Sequence, residues 1–267
     1  MKRSILFFIS FTMFLTLLLG SNPVSGQSLS AREIMKKNDQ QRKTKTEKLE
    51  MEMKLINKKG KTRVRRVTQI KKTDASGNEK SVIRFLAPAD VKGTGLLTIE
   101  HTDRDDDQWL FLPALRKVRR ISSGDKSDRF VGTDFTYEDL KNEELENYDY
   151  KLLKDDVLEN RDCYVIEAVP TTPKKKKESG YSKREIWIDK KNFVNIQTKF
   201  YNKKGEFYKI FTAGDIQLIE GTTKWRAHQM VMENIKTIHK SILLFSNIVI
   251  NKDIADKKFT KRYLKKG

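Results

Sequence analysis

The sequence has little with which to cross-link, chelate or cut. One cysteine in 267 residues, Cys163, excludes an internal disulfide. An exported chain of this kind must draw its stability from burial and from the hydrogen-bond ladder of a sheet. Cys163 sits in the alternating run DCYVIEAV and reads as a small core residue. The three histidines, His101, His228 and His239, stand far apart. No HExxH, GxSxG or phosphate-binding glycine loop occurs, so no motif asks for a metalloprotease, a serine hydrolase or a nucleotide enzyme. The acidic run Asp103, Asp105, Asp106 and Asp107 lacks the glycine and distal glutamate of an EF-hand loop and reads as a solvated turn. The expectation is a non-enzyme without metal or cofactor.

Long apolar runs are scarce as well. One exists, at the N-terminus: Lys2 and Arg3 precede an apolar core from Ile5 to Leu19, followed by Gly20, Asn22 and Pro23. The run is shorter than the ~20 residues of a spanning helix. Val24 and Gly26 occupy the positions a signal peptidase prefers. The expectation is a signal peptide over residues 1–26, cleavage before Gln27, and export to the periplasm. No cysteine stands at the cleavage site, so the expectation is that the chain is not itself a lipoprotein of the usual lipobox kind. Residues 27–267 then form a single domain, and about 240 residues are enough for one large β core.

Acids are outnumbered. The formal net charge is +19, and loss of Lys2 and Arg3 leaves +17. Nucleic acid is disfavoured as a partner by the export signal and by the absence of a binding motif. Two readings stay open: attraction to an anionic membrane surface, and solubility charges on turns and edge strands.

What is present is period-two alternation. A single helix comes first, capped by Ser30 with Glu33 three residues on and ending near Arg42. Leu49, Met51, Met53 and Leu55 then face one way against Glu50, Glu52 and Lys54, a half-buried strand. Turns at Asn57–Gly60, Asp74–Asn78, Glu159–Asn160, Lys190–Asn192, Asn202–Gly205 and Glu220–Thr222 mark an antiparallel meander of roughly ten to a dozen strands. TTPKKKKESG, residues 171–180, reads as a mobile basic loop, and Phe259, Tyr263 and Leu264 as a short helical cover. Leu49, Met51, Met53, Leu55, Ile83, Phe85, Leu97, Ile99, Trp109 and Phe111 are candidates for an apolar lining, or alternatively for an ordinary core.

The densest apolar matter lies in DDDQWLFLPALRKVRRISSGDKSDRFVGTDFTYEDL, where WLFLP is apolar on both faces and Thr136 with Asp139 can cap a helical turn. This stretch, above all Asp107–Pro113 and Gly132–Phe135, resembles the outer-membrane lipoprotein-sorting protein family, the LolA-like periplasmic carriers, in the branch found beside RND-type exporters. The resemblance implies a mainly β fold: a curved antiparallel sheet forming a half-open β-barrel, with the N-terminal helix and short helical segments as a lid over a hydrophobic cavity. It implies a carrier that takes the acyl chains of a lipoprotein or other lipid from an inner-membrane transporter of RND or ABC type. The carrier passes them to an outer-membrane acceptor, with no bond made or broken. It further implies a sheet arginine that gates the lid, for which Arg84 is the candidate. The alternative function is a non-catalytic envelope adaptor docking on an RND-type exporter.

Overall fold

The computed structural model describes residues 28–266 apart from Thr102 and Glu143. The expected signal peptide lies outside the described residues. Helix α1 (Ala31–Arg42) starts at the expected capping box: Ser30 N–H donates to the Glu33 carboxylate at 2.8 Å, and the Ser30 hydroxyl accepts from Glu33 N–H. Its buried face carries Ala31, Ile34 and Met35. Among the described residues no helix is long and apolar enough to cross a membrane.

Thirteen strands make one antiparallel sheet. The first six are β1 (Thr46–Ile56), β2 (Thr62–Thr73), β3 (Glu79–Ala87), β4 (Gly95–Ile99), β5 (Asp107–Leu112) and β6 (Lys117–Arg120). The rest are β7 (Tyr148–Leu158), β8 (Arg161–Pro170), β9 (Tyr181–Asp189), β10 (Asn195–Asn202), β11 (Phe207–Leu218), β12 (Trp225–Asn234) and β13 (His239–Ile250). The two meanders join where β1 pairs with β13, leaving β6 and β7 as edges. The barrel is therefore not closed, as the half-open expectation requires.

Alternation gives the sheet two apolar faces. On the inner face Leu49, Met51, Met53, Val67, Ile83 and Phe85 pack beneath residues 121–147, which run from β6 to β7 and contribute Ile121, Phe130, Phe135 and Tyr137. Farther along the same face α1 lays Ala31, Ile34 and Met35 on Ile166, Ala168, Ile186 and Tyr148. The outer face of β3–β5 is covered by the C-terminal segment, through Phe259 and through Leu264 of a short helix, α3 (Lys261–Lys266). A Cβ on Gly95 would meet a Leu264 methyl at 2.7 Å, so a larger residue there would force that side chain to shift.

One local expectation is corrected. Residues 171–180 hold a short helix, α2 (Pro173–Glu178), because Thr172 accepts from Lys175 N–H and Pro173 suits the first turn. The lysine repulsion there is offset by Glu138 on Lys175 and by Asp105 on Lys174. β11 runs unbroken from Phe207 to Leu218; it bends through Asp215 at φ 48° and stays paired. Thr136 and Asp139 exchange the expected capping hydrogen bonds, over a turn at residues 137–140.

Candidate functional site

A cavity of about 370 Å³ lies on the inner face of the C-terminal half of the sheet. Its floor comes from β9 to β12: Ile186, Thr198, Phe200, Phe211, Ala213, Ala227, Met230 and Met232. Walls are α1 (Met35, Asn38, Asp39), the covering segment (Phe135, Glu138, Asp139, Leu145) and α2 (Lys174, Lys175). Small floor residues leave the space. Ala213 faces Met230 across the β11–β12 pair with Phe211 two places along, and Ala227 is the other small floor residue, so the surface is recessed between larger side chains.

Floor and rim differ in chemistry. The rim is charged and internally paired: Arg42 with Asp39 at 3.5 Å, Lys175 with Glu138 at 3.0 Å, and Lys174 with Asp105. Such a site suits an amphiphile, with an apolar chain on the floor and a polar group at the rim. Asp139 and Glu138 are engaged in holding the covering segment, and among the described residues no cluster of three or more His, Cys, Asp and Glu could hold a metal.

The roof is fastened by ionic latches. Lys209 of β11, 1% exposed, donates to Asp139 at 2.8 Å and to the Asp134 carbonyl at 3.2 Å, and Tyr181 O–H donates to the other Asp139 oxygen at 2.7 Å. Burial alone would raise the Asp139 pKa, but Lys209 and the hydrogen bonds from Thr136 and Tyr181 outweigh it and hold the carboxyl below its ordinary value. The Tyr181 hydroxyl is pushed well up by burial and then by Asp139. Asp134, also buried, accepts from Ser241 at 2.8 Å and from Arg129 at 3.0 Å, and lies 2.5 Å from His239. Helix α1 is tied at its C-terminal end, where Arg226 donates to the carbonyls of Gln41 and Arg42 and pairs with Glu47.

None of the ten lining candidates reaches this cavity. Leu49, Met51, Met53, Ile83 and Phe85 share its face but are packed under Phe130, Phe135 and Tyr137; Leu55 is buried on the same alternation. Leu97, Ile99, Trp109 and Phe111 lie on the outer face against the C-terminal segment. The register explains the division: Leu96 pairs with Ile83 and Leu110, so the odd-numbered members of β4 and β5 point the other way. Arg84 also points outward, donating to the carbonyls of Tyr263 and Leu264 at 2.8 and 3.2 Å, where it holds α3.

The arginine that reaches the roof is Arg65, on the inner face of β2. It donates to the Val131 carbonyl at 2.5 Å and its guanidinium lies 5.6 Å from the Phe85 ring centre. Val131 has φ 45°, a strained conformation for a β-branched residue. Arg65 was missed in the sequence because TRVRRVTQIKKT has basic residues on both faces. Only Val67, two places on and fully buried, marks the inward parity. The floor was missed for a related reason: alternation marks Phe211 and Met230 as inward but not what covers them.

Solved structures share this architecture. A domain from Vibrio parahaemolyticus assigned as an outer membrane lipoprotein-sorting protein is 33% identical, with a TM-score of 0.81, over 88% of this chain and 98% of that one. A DUF1329 family protein from Desulfovibrio piger is 29% identical, with a TM-score of 0.82, over 88% and 97%. A LolA superfamily protein from Nitrosomonas europaea, 22% identical with a TM-score of 0.69 over 88% and 100%, shares the fold. A family model whose description reads "uncharacterized protein" matches residues 77–266. No curated protein matches. With a half-open sheet, a roof of one helix and one covering segment, and a third of its residues shared with the Vibrio domain over nearly that domain's whole length, this chain belongs to the outer-membrane lipoprotein-sorting protein family.

Proposed function

We propose that the protein is a periplasmic carrier that shelters the acyl chain of a lipid or lipoprotein in the cavity between α1, the covering segment and β9–β12. The observation that carries the reading is the combination of an apolar floor, a charged rim and a volume of about 370 Å³. Burying a chain there is worth about 0.8 kcal/mol per methylene, enough to hold an amphiphile in water without a covalent step. The inner face continues from this floor to Met51, Met53 and Phe85 of the filled half. Release of the Arg65, Asp134 and Asp139 latches would expose those residues to larger cargo. In this reading they form a second lining, and Leu97, Ile99, Trp109, Phe111 and Arg84 serve the outer packing. An inner-membrane donor and an outer-membrane acceptor follow from the carrier role.

Titration with a fluorescent fatty acid, together with mass spectrometry of organic extracts of protein released from the periplasm, tests the proposal. Saturable uptake that Met230→Glu abolishes without unfolding the chain is expected. No uptake and no co-purified lipid would favour the adaptor role instead.

A further inference from the structure

Successive hairpins place their turns at two ends of the sheet. One end carries residues 57–61, 88–94, 113–116, 171–180, 203–206 and 235–238; the other carries 74–78, 100–106, 159–160, 190–194 and 219–224. The first set holds twelve lysines and arginines against three acids; the second holds four against seven, and segments 43–45 and 251–258, which lie beside it, add five cations and two acids, so the second end is balanced where the first is strongly basic. Two of the three acids in the basic set, Glu178 and Glu206, are paired with Lys126 and Lys236, while among its cations Lys174 and Lys175 are taken up by Asp105 and Glu138 at the cavity rim, leaving nine cations outside any of these pairs. The basic turns are neighbours: Ile56 pairs with Lys240, Ile235 N–H donates to the Tyr208 carbonyl, and Lys203 donates to the Lys177 carbonyl at 3.2 Å.

Large aliphatic side chains project from the same turns. Leu115 is 63% exposed, Ile238 66% and Ile235 44%. Ile238 also has φ 52°, where asparagine or glycine would be unstrained. A β-branched side chain that is both strained and in water contributes nothing to the fold at that tip. Aliphatic prongs among lysines match a surface that is anionic at its face and apolar beneath. Nucleic acid would call for planar side chains on which bases stack.

We infer that this basic end is a docking surface for an anionic lipid bilayer, with Ile235, Ile238 and Leu115 entering the headgroup layer. Helix α2 belongs to both regions: Lys174 and Lys175 line the cavity, and Lys176 and Lys177 face solvent at the basic end. Docking there brings the cavity rim beside the headgroups. The inference rests on the turns alone and stands whether or not the cavity holds lipid.

Co-sedimentation with vesicles of phosphatidylcholine, with and without about one-third phosphatidylglycerol, tests it. Binding should require the anionic lipid and weaken from low to physiological salt. Replacing Lys58, Lys59 and Lys61 together with Gln should weaken it on the order of a hundredfold, at about fivefold per lysine. Lys190→Gln with Lys191→Gln, at the other end, should change it by less than about threefold. Cys163 is fully buried and its thiol is pushed up to about 11 by burial and by Asp189 and Asp156. An environment-sensitive dye on Ile238→Cys therefore labels one site, and it should brighten on binding. Met230→Glu should bind vesicles like the unmodified protein, which separates this surface from the cavity. Equal binding to neutral vesicles, equal losses from both lysine sets, or a silent dye on bound protein would overturn the inference. So would tighter binding to duplex DNA than to anionic vesicles.

Discussion

Over β1–β5 the inner face presents Met51, Met53, Ile83 and Phe85, and the covering segment meets them with Ile121, Phe130, Phe135 and Tyr137. Over β9–β12 the same face interrupts Phe200, Phe211, Met230 and Met232 with Ala213, Ala227 and Thr198, and the roof above these small residues carries Asn38, Asp39 and Glu138. Large against large fills the first half. Small against polar leaves the second hollow, since polar roof groups stay with their own ionic partners and cannot follow an apolar floor inward. A cavity in this fold thus comes from the choice of residues on both layers, and not from the curvature of the sheet alone.

Truncation breaks the comparison most directly. Phe130, fully buried with its ring 5.7 Å from those of Phe85 and Tyr137, should cost about 3–5 kcal/mol as Phe130→Ala. Phe211→Ala, on the cavity floor, should cost only about 1–2 kcal/mol, because part of its surface already faces open space. Urea melts of both variants would show the gap, and equal losses would mean the two halves are packed alike.

The latch between the halves comes next. Lys209→Met strands the buried Asp139 carboxylate and should cost about 3 kcal/mol, whereas Lys209→Met combined with Asp139→Leu should recover most of it. A double-mutant cycle measures the coupling.

Acid should weaken the same region. Asp139 has a lowered folded pKa, so its stabilising contribution is present above its unfolded value near 4 and is lost as pH falls through the folded value. Asp107 at the edge of the filled half behaves likewise: burial pushes it up, but Arg104, Arg120 and His101 hold it at about 2. Its contribution fades between about pH 4 and pH 2. Melting of Asp139→Asn across that range should show a flatter pH dependence than the unmodified chain, and an unchanged slope would contradict the latch. The smallest effect is expected at the β7 edge, outside both halves, where Leu152→Ser should stay within about 0.5 kcal/mol.

Much of the fold was legible from local chemistry. The Ser30–Glu33 cap, the β1 alternation and the turn residues each act over a few neighbours, and each formed as read. The site was less legible because it depends on which layer lies above each strand. Trp109 and Phe111 are as apolar as Phe85, yet parity sends them to the outer face under α3. The α2 lysines read as a loop because their partners, Glu138 and Asp105, are remote in sequence and met only across the folded roof.

Photo-crosslinking tests the central claim most directly. A fatty acid with a photoactivatable group on its chain, irradiated with the purified protein, should label peptides covering Thr198–Ala213 and Trp225–Met232, the cavity floor. Labelling confined to Leu49–Phe85 or to Leu97–Phe111, or no labelling displaced by unmodified fatty acid, would contradict a carrier that holds its acyl chain over β9–β12.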